Sequence, residues 1–231
     1  WRTGGGKSTY CYAENAWINL DLTYLWDIQD GGKDCSFIIT VKTNNLGSSD
    51  PDQFTIPTTG SGYDYNVDCD SDGTIEKIGA HGDYTCSYPS EGIYTIRIKD
   101  NSGAGNGFPR IFFDNIGDTQ KLMAIEQWGK GKWTSMGQAF NGCSNLKILA
   151  GDSPDLSGVT DMRYMFQGAS ALNQPIGGWD TSNVTNMSGV FAHASAFNQP
   201  LANWITENVT DMSFMFSGAS AFNQPIGDWD T

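Results

Sequence analysis

Val184-Thr185-Asn186-Met187-Ser188-Gly189-Val190-Phe191 decides how this chain is read, because its pattern occurs three times. Val159-Thr160-Asp161-Met162 opens the copy before it and Val209-Thr210-Asp211-Met212 the copy after, at a step of 25 residues. Phe166, Phe191 and Phe216 keep that step, as do Asn173-Gln174-Pro175, Asn198-Gln199-Pro200 and Asn223-Gln224-Pro225. Trp179, Trp204 and Trp229 close the three units. A period between 20 and 50 residues reads as a solenoid, in which each unit buries its apolar side only against its neighbours.

Within one unit, Val184, Met187, Val190, Phe191, Ala194 and Phe197 step by threes and fours, which predicts a short helical turn with one apolar side. Phe197-Asn198-Gln199-Pro200-Leu201 is too short and too Pro-marked to continue a helix and reads as an extended rung. Stacked rungs predict a narrow parallel sheet on one face and short helices on the other. Each buried Met, Phe or Trp then contributes roughly 1.5–3 kcal/mol once a neighbouring unit covers it.

The pattern Val-Thr-Asx-Met-x-x-(Met/Val)-Phe-x-x-Ala-Ser-Ala-(Leu/Phe)-Asn-Gln-Pro-(Ile/Leu)-x-x-Trp resembles the BspA-type leucine-rich repeat, a mycoplasma-lipoprotein-like 25-residue unit. The likeness is strong over residues 159–231. A looser unit, Ser135-Met136-Gly137-Gln138-Ala139-Phe140-Asn141-Gly142-Cys143-Ser144-Asn145-Leu146, precedes it at a step of 26. Lys121-Leu122-Met123-Ala124-Ile125-Glu126-Gln127-Trp128 resembles the opening segment of such arrays, and residues 128–133 read as a cap on the first rung. The resemblance implies a leucine-rich solenoid, a cell-surface location and adhesion or recognition, without catalytic residues.

Ahead of the repeats, residues 35–115 read as a β-sandwich. Strands are expected at Phe37 to Thr43, Gln53 to Pro57, Tyr63 to Cys69, Gly92 to Lys99 and Pro109 to Phe113. Short strands with turn signals every 8–12 residues predict an immunoglobulin-like sandwich. The run from Tyr65 to Thr74, with Tyr88-Pro89-Ser90-Glu91-Gly92-Ile93-Tyr94-Thr95-Ile96, resembles a PKD domain, whose Val-Asp-Trp-Gly-Asp-Gly turn precedes Tyr-x-x-x-Gly-x-Tyr-x-Val. Here Cys69 replaces the Trp and the turn is one residue longer, which suits a disulfide to Cys86. PKD-like modules act as spacers in surface proteins. Residues 1–34 form a separate N-terminal segment. Its Ala16 to Trp26 stretch is rich in strand formers and is expected to add strands to the sandwich. Gly4-Gly5-Gly6-Lys7-Ser8-Thr9 lacks the first glycine of a phosphate loop and any preceding strand, so it reads as a glycine turn. The expected fold is thus mainly β with short helices: a sandwich over 35–115, then a repeat solenoid over 116–231. The chain's first and last residues both read as cut ends of a longer protein.

Composition narrows the function. The 231 residues carry 13 Lys and Arg against 26 Asp and Glu, a net charge of −13, with no basic cluster for a nucleic-acid partner. No run approaches a membrane span. Of five cysteines, Cys143 falls where sister repeats have Ala169, Ala194 and Ala219, so it reads as a buried free thiol. Cys11, Cys35, Cys69 and Cys86 can pair in three ways, and Cys11–Cys35 with Cys69–Cys86 are the local pairs. Such bridges would place the protein in an oxidising, extracellular compartment.

Candidate site residues fall into three groups. Asp68, Asp70, Asp72 and Gly73 form Asp-x-Asp-x-Asp-Gly, half of a calcium loop, with Glu76 at the ninth position and Gly79 where a Glu is required at the twelfth. This is either a calcium site or an acidic turn. The repeat positions that vary are Arg163-Tyr164, Ser188-Gly189, Ser213-Phe214 and His193, so Arg163, Tyr164, His193 and Phe214 are the candidate ligand contacts. Exposed rings there could stack on a sugar or grip a protein. Asn183, Asn186 and Asn208 lie in glycosylation sequons generated by the repeat itself. His81 and His193 are the two histidines, and neither sits in a catalytic constellation, so no enzyme is expected. Function is read as adhesion to a surface protein or glycan. The alternatives are a filament or coat built by self-association through solenoid ends, and an accessory domain of a secreted enzyme.

Overall fold

The computed structural model describes residues 35–229. Cys11 of the expected pair Cys11–Cys35, and the strands expected within 1–34, lie outside the described residues.

Alternating buried and open residues make β1 (Phe37–Lys42), β2 (Gln53–Ile56) and β3 (Tyr65–Asp68). β4 (Lys77–Ala80), β5 (Tyr84–Ser87), β6 (Ile93–Asp100), β7 (Leu122–Gln127) and β8 (Lys147–Ile148) complete the set. One sheet has the order β4-β3-β6-β1-β7-β8, and a second pairs β2 with β5. Cys69, just after β3, bridges to Cys86 on β5, so the Cys69–Cys86 disulfide ties the two sheets together. Phe54 and Ile56 of the small sheet are buried in one core with Ile39, Val41, Tyr65, Val67, Ile96 and Ile98 of the large one.

Two expectations change here. Pro109 to Phe113 is not a strand of the sandwich. The amides of Phe113, Asp114 and Asn115 donate to Ala139, Gln138 and Asn141, so this segment lies along the first repeat unit. It covers that unit's edge, the role expected of residues 128–133. Within that segment Trp128 and Trp133 are buried core rings 5.9 Å apart at the join. The large sheet also crosses residue 115. β7 pairs antiparallel with β1, and β8 pairs parallel with β7.

The protein is mainly β, and no helix occurs among the described residues. The spacing of threes and fours is satisfied differently. In the unit starting at Met162, alternate amides leave the unit: Met162, Tyr164, Phe166 and Gly168 donate to Asn186, Ser188, Val190 and Ala192 at 2.8–2.9 Å. The amides of Met165, Gln167 and Ala169 turn back three residues, to Met162, Tyr164 and Phe166. A helix would send every amide back four residues. Tyr164 and Gly168 also take φ of 54° and 71°, which interrupts any right-handed helical run. The same pattern joins the unit at Met136 to that at Met162, and Met187 to Asp211.

The expected rung is displaced as well. Parallel bridges link Asp161 to Asn186 and Asn186 to Asp211, while Asn-Gln-Pro forms no strand because its pairing runs through side chains. The Oδ1 of Asn173 accepts the Asn198 amide and the Gln199 side chain, and Asn198 repeats this with Asn223 and Gln224. The Trp204 indole donates to the Ile176 carbonyl and that of Trp229 to Leu201. Phe140, Phe166, Phe191 and Phe216 stack face to face at 5.6–5.9 Å. Each such pair adds about 0.5–1.5 kcal/mol beyond its buried area.

Candidate functional site

Each repeat unit carries two left-handed backbone positions four residues apart. One column holds Gln138, Tyr164, Gly189 and Phe214, at φ 54–60°. The other holds Gly142, Gly168, His193 and Gly218, at φ 59–81°. Three of the four candidate ligand contacts, Tyr164, His193 and Phe214, therefore occupy positions that L residues adopt reluctantly. Arg163 stands beside the first column, exposed, with Nε 3.5 Å from Oδ2 of Asp161. The scaffold aims these side chains outward, but it does not gather them into one pocket. Tyr164 is half-buried, His193 exposed, and Phe214 is 71% exposed.

The rings are not free-standing. Tyr164 lies over Gly189 of the next unit, and a β-carbon there would collide with its Cδ1 and Cε1. His193 lies over Gly218, where a β-carbon would stand 2.5 Å from Nδ1. Asn115 lies over Gly142 in the same way. The glycines that receive these side chains escaped the sequence reading. The signal was present: Tyr164 is followed one step later by Gly189, and His193 by Gly218.

Asp161, Asn186 and Asp211 cap turns. Their Oδ1 atoms accept the amides of Arg163, Ser188 and Ser213 at 2.9–3.0 Å. Only an acceptor oxygen is needed, which is why Asp and Asn interchange. Hydrogen bonds from Ser213 hold the Asp211 carboxyl below its ordinary range, and those from Ser182 do the same for Asp180. Of the sequon residues, Asn183 and Asn208 are exposed and donate to the Ser157 and Ser182 carbonyls. Asn186 is half-buried, with Oδ1 also accepting the Ser188 hydroxyl.

The acidic turn brings Asp68, Asp70 and Asp72 together, with one oxygen from each lying within 4.8 Å of the others. Every one of these carboxylates already accepts backbone amides. Asp68 takes Ser71 and Gly73, Asp70 takes Asp72, and Asp72 takes Thr74. Glu76 turns away from the group to accept the Cys69 amide at 2.7 Å. Burial raises the Asp68 and Glu76 carboxyls above their ordinary range, whereas the Thr74 amide lowers Asp72. The three aspartates form a compact oxygen cluster, and turn capping accounts for each.

The remaining candidates are structural. Cys143 is free and fully buried, and burial pushes its thiol up. His81 Nδ1 lies 2.6 Å from the Tyr63 carbonyl oxygen in a turn. A cleft of about 30 Å³ between Phe37, Phe108 and Trp133 is the size of a water rather than a ligand. Lys121, in the segment expected to open the repeats, is only 1% exposed. It donates to the carbonyls of Ser49, Asp50 and Gln53 and to the Ser49 hydroxyl, with Asp118 at 3.8 Å. Asp118 in turn accepts the Ser48, Ser49 and Thr55 amides. This pair pins the β1–β2 loop.

What the fold and these columns define is a mainly β repeat protein with side chains displayed at fixed backbone positions. The family described as "Mycoplasma protein of unknown function, DUF285" matches residues 134–231, the stacked units. That match fits the resemblance of the repeat to mycoplasma-type surface proteins in its coarse form. No curated protein and no solved structure is similar enough to match.

Proposed function

We propose that this chain is a non-catalytic extracellular recognition module. A PKD-like sandwich serves as spacer, and a BspA-type leucine-rich solenoid binds a surface protein or glycan. The observation that carries the reading is the pairing of a constant scaffold with changing outward side chains. Backbone ladders, turn caps and the phenylalanine stack repeat from unit to unit. Arg163, Tyr164, His193 and Phe214 stand at outward positions where sister units carry other residues. An exposed guanidinium at Arg163 and an exposed ring at Phe214, two units apart on the same repeat surface, are residue types that protein and sugar contacts favour. The Cys69–Cys86 bridge supports an oxidising compartment.

A coat or filament built through solenoid ends is the second reading, in which the partly buried Phe216, Phe222 and Trp229 would supply contact area. Against it stands the first unit, whose edge is covered by Phe113 to Asn115. Identical copies stacking head to tail would have to displace that cover.

The test is an array of glycans and matrix or cell-surface proteins probed with the whole chain. Saturable binding by a monomer, weakened about tenfold or more in Phe214→Ser or Arg163→Ser, is the expected result. Ordered oligomers in sedimentation without saturable binding would replace recognition with assembly.

A further inference from the structure

The small sheet has two edges, and the chain treats them differently. On β2 the amides of Gln53 and Thr55 point away from β5, to the Asp50 carbonyl and to Oδ2 of Asp118. The Gln53 carbonyl accepts Nζ of Lys121 and the Ser49 hydroxyl. Side chains thus close that edge. In an antiparallel pair the outward backbone groups alternate with the inward ones. The register Phe54↔Cys86 and Ile56↔Tyr84, continued by the Tyr88 amide on the Asp52 carbonyl, therefore turns the Thr85 and Ser87 groups outward. Among the described residues, neither their amides nor their carbonyls have a hydrogen-bond partner. Both residues are exposed, and β5 carries no Lys, Pro or bulge of the kind that blunts an edge.

The surroundings of this open edge are acidic. From Asp68 to Tyr88 the chain carries Asp68, Asp70, Asp72, Glu76 and Asp83 against one Lys, Lys77. The Cys69–Cys86 bridge holds the acidic turn to β5, with Cα atoms 5.7 Å apart. Glu76 accepts the Cys69 amide, and Tyr88, just past β5, donates its hydroxyl to the Cys69 carbonyl. Burial first, and then these carboxylates, raise the hydroxyls on either side of Thr85 and Ser87: Glu76 acts on Tyr84 and Asp70 on Tyr88. Asp70, Asp72, Glu76 and Asp83 are exposed.

We propose that β5 is a strand-addition edge for an extended, Lys- or Arg-bearing segment of a partner protein. This gives the sandwich a binding role of its own, separate from the solenoid columns. The segment lies beside β5 as a third strand of the small sheet. Its main chain pairs with the Thr85 and Ser87 groups, which stand two residues apart, the spacing at which an extended chain presents its own groups to one side. Main-chain pairing supplies affinity, and the flanking carboxylates supply selection. β4 ends the large sheet and joins β5 through His81 to Asp83, so both strands border one margin, where Ile78 is 61% exposed. A second copy of this chain fits poorly. It would set the same carboxylates against one another across the new pair, in a chain of net charge −13.

The test uses the whole chain with short synthetic peptides: one of alternating Lys and Thr, one of alternating Glu and Thr, and the Lys peptide N-methylated along its backbone. Titration calorimetry reads binding, and amide exchange reads its place. The Lys peptide is expected to bind saturably and to slow exchange at Thr85 and Ser87 by about tenfold or more. Thr85→Pro removes one outward amide without touching the ladder to β2 and is expected to weaken that binding by about tenfold or more. Binding without slowed exchange at Thr85 and Ser87, unchanged binding in Thr85→Pro, or equal binding by the N-methylated peptide overturns the edge pairing. Equal binding by the Glu peptide overturns the selection by charge. No binding up to about 1 mM Lys peptide overturns the site. Slowed exchange in the chain alone, with a dimer in sedimentation, makes a second copy the occupant and overturns the assignment.

Discussion

The ring of Tyr164 rests on the bare Cα of Gly189, one repeat further on, so closely that a β-carbon there would overlap Cδ1 and Cε1. Gly189 is itself held at φ 60°. Backbone conformation and ring packing therefore impose glycine twice at one position.

Gly189→Ala should lose about 2–4 kcal/mol, combining about 1 kcal/mol or more of left-handed strain with about 1–3 kcal/mol of overpacking. Adding Tyr164→Ala should return the overpacking part and leave the strain. Urea denaturation of the four-member cycle measures it, and additive losses would show that the ring does not press on Gly189.

Asn186 separates Asp161 from Asp211 in a column of parallel bridges. Neighbouring strands lie about 4.8 Å apart, so Asn186→Asp would stack three carboxylates. The cap would survive, since Asp serves at both neighbours. Like charges would raise the new carboxyl's folded pKa, so its protonated form is the one the fold tolerates. Stability should match wild type below the unfolded carboxylate value and fall as pH rises through the folded one. Added salt should restore part of it at neutral pH. Thermal melts at two salt concentrations check both effects. Asn186→Ala should instead cost about 1–2 kcal/mol at every pH, from two lost hydrogen bonds to Ser188.

The acidic turn gives a pH test of its own. Burial raises the folded pKa of Asp68 and Glu76. The stability linked to their protonated forms is complete below the unfolded carboxylate range and is lost as pH rises through the folded values. Asp68→Asn should therefore lose less stability than wild type between about pH 4 and about pH 7. Millimolar calcium is expected to leave the wild-type melting temperature unchanged, because amides already occupy each carboxylate. A calcium-induced rise that disappears in Asp70→Asn would assign the cluster to cation binding instead.

Cys69–Cys86 closes a loop of separation 17 between the two sheets. Replacing both residues by Ala should cost about 3 kcal/mol on chain-entropy grounds. The wild type should melt lower in reductant, and the double variant should not respond.

Much of the N-terminal layer was legible because strands leave a period of two. Phe37 to Lys42 and Ile93 to Asp100 alternate plainly. β4 and β5 were missed, since Lys77–Ala80 and Tyr84–Ser87 each offer only four residues with one buried side chain. Pro109 to Phe113 looked like a strand from its apolar run, yet its partners are turns of the first repeat. Among the site residues, Tyr164, His193 and Phe214 stood out because they vary, but variation does not reveal that all three sit at left-handed backbone positions. The acidic turn was legible as two alternatives, and only the direction of each carboxylate shows the amides it serves.

The sequence by itself determined the repeat: its step, its phenylalanine and tryptophan columns, its Asn-Gln ladder and the solitary buried Cys143. Periodicity fixes which residues are equivalent, and equivalence survives any backbone conformation. What only the tertiary structure decided is how each unit closes. Threes and fours are the spacing of a helix and equally of consecutive turns. The choice between them rests on whether an amide finds its acceptor four residues back or one unit away. In this chain alternate amides reach the neighbouring unit, and the left-handed positions that this requires place Tyr164 on Gly189 and His193 on Gly218.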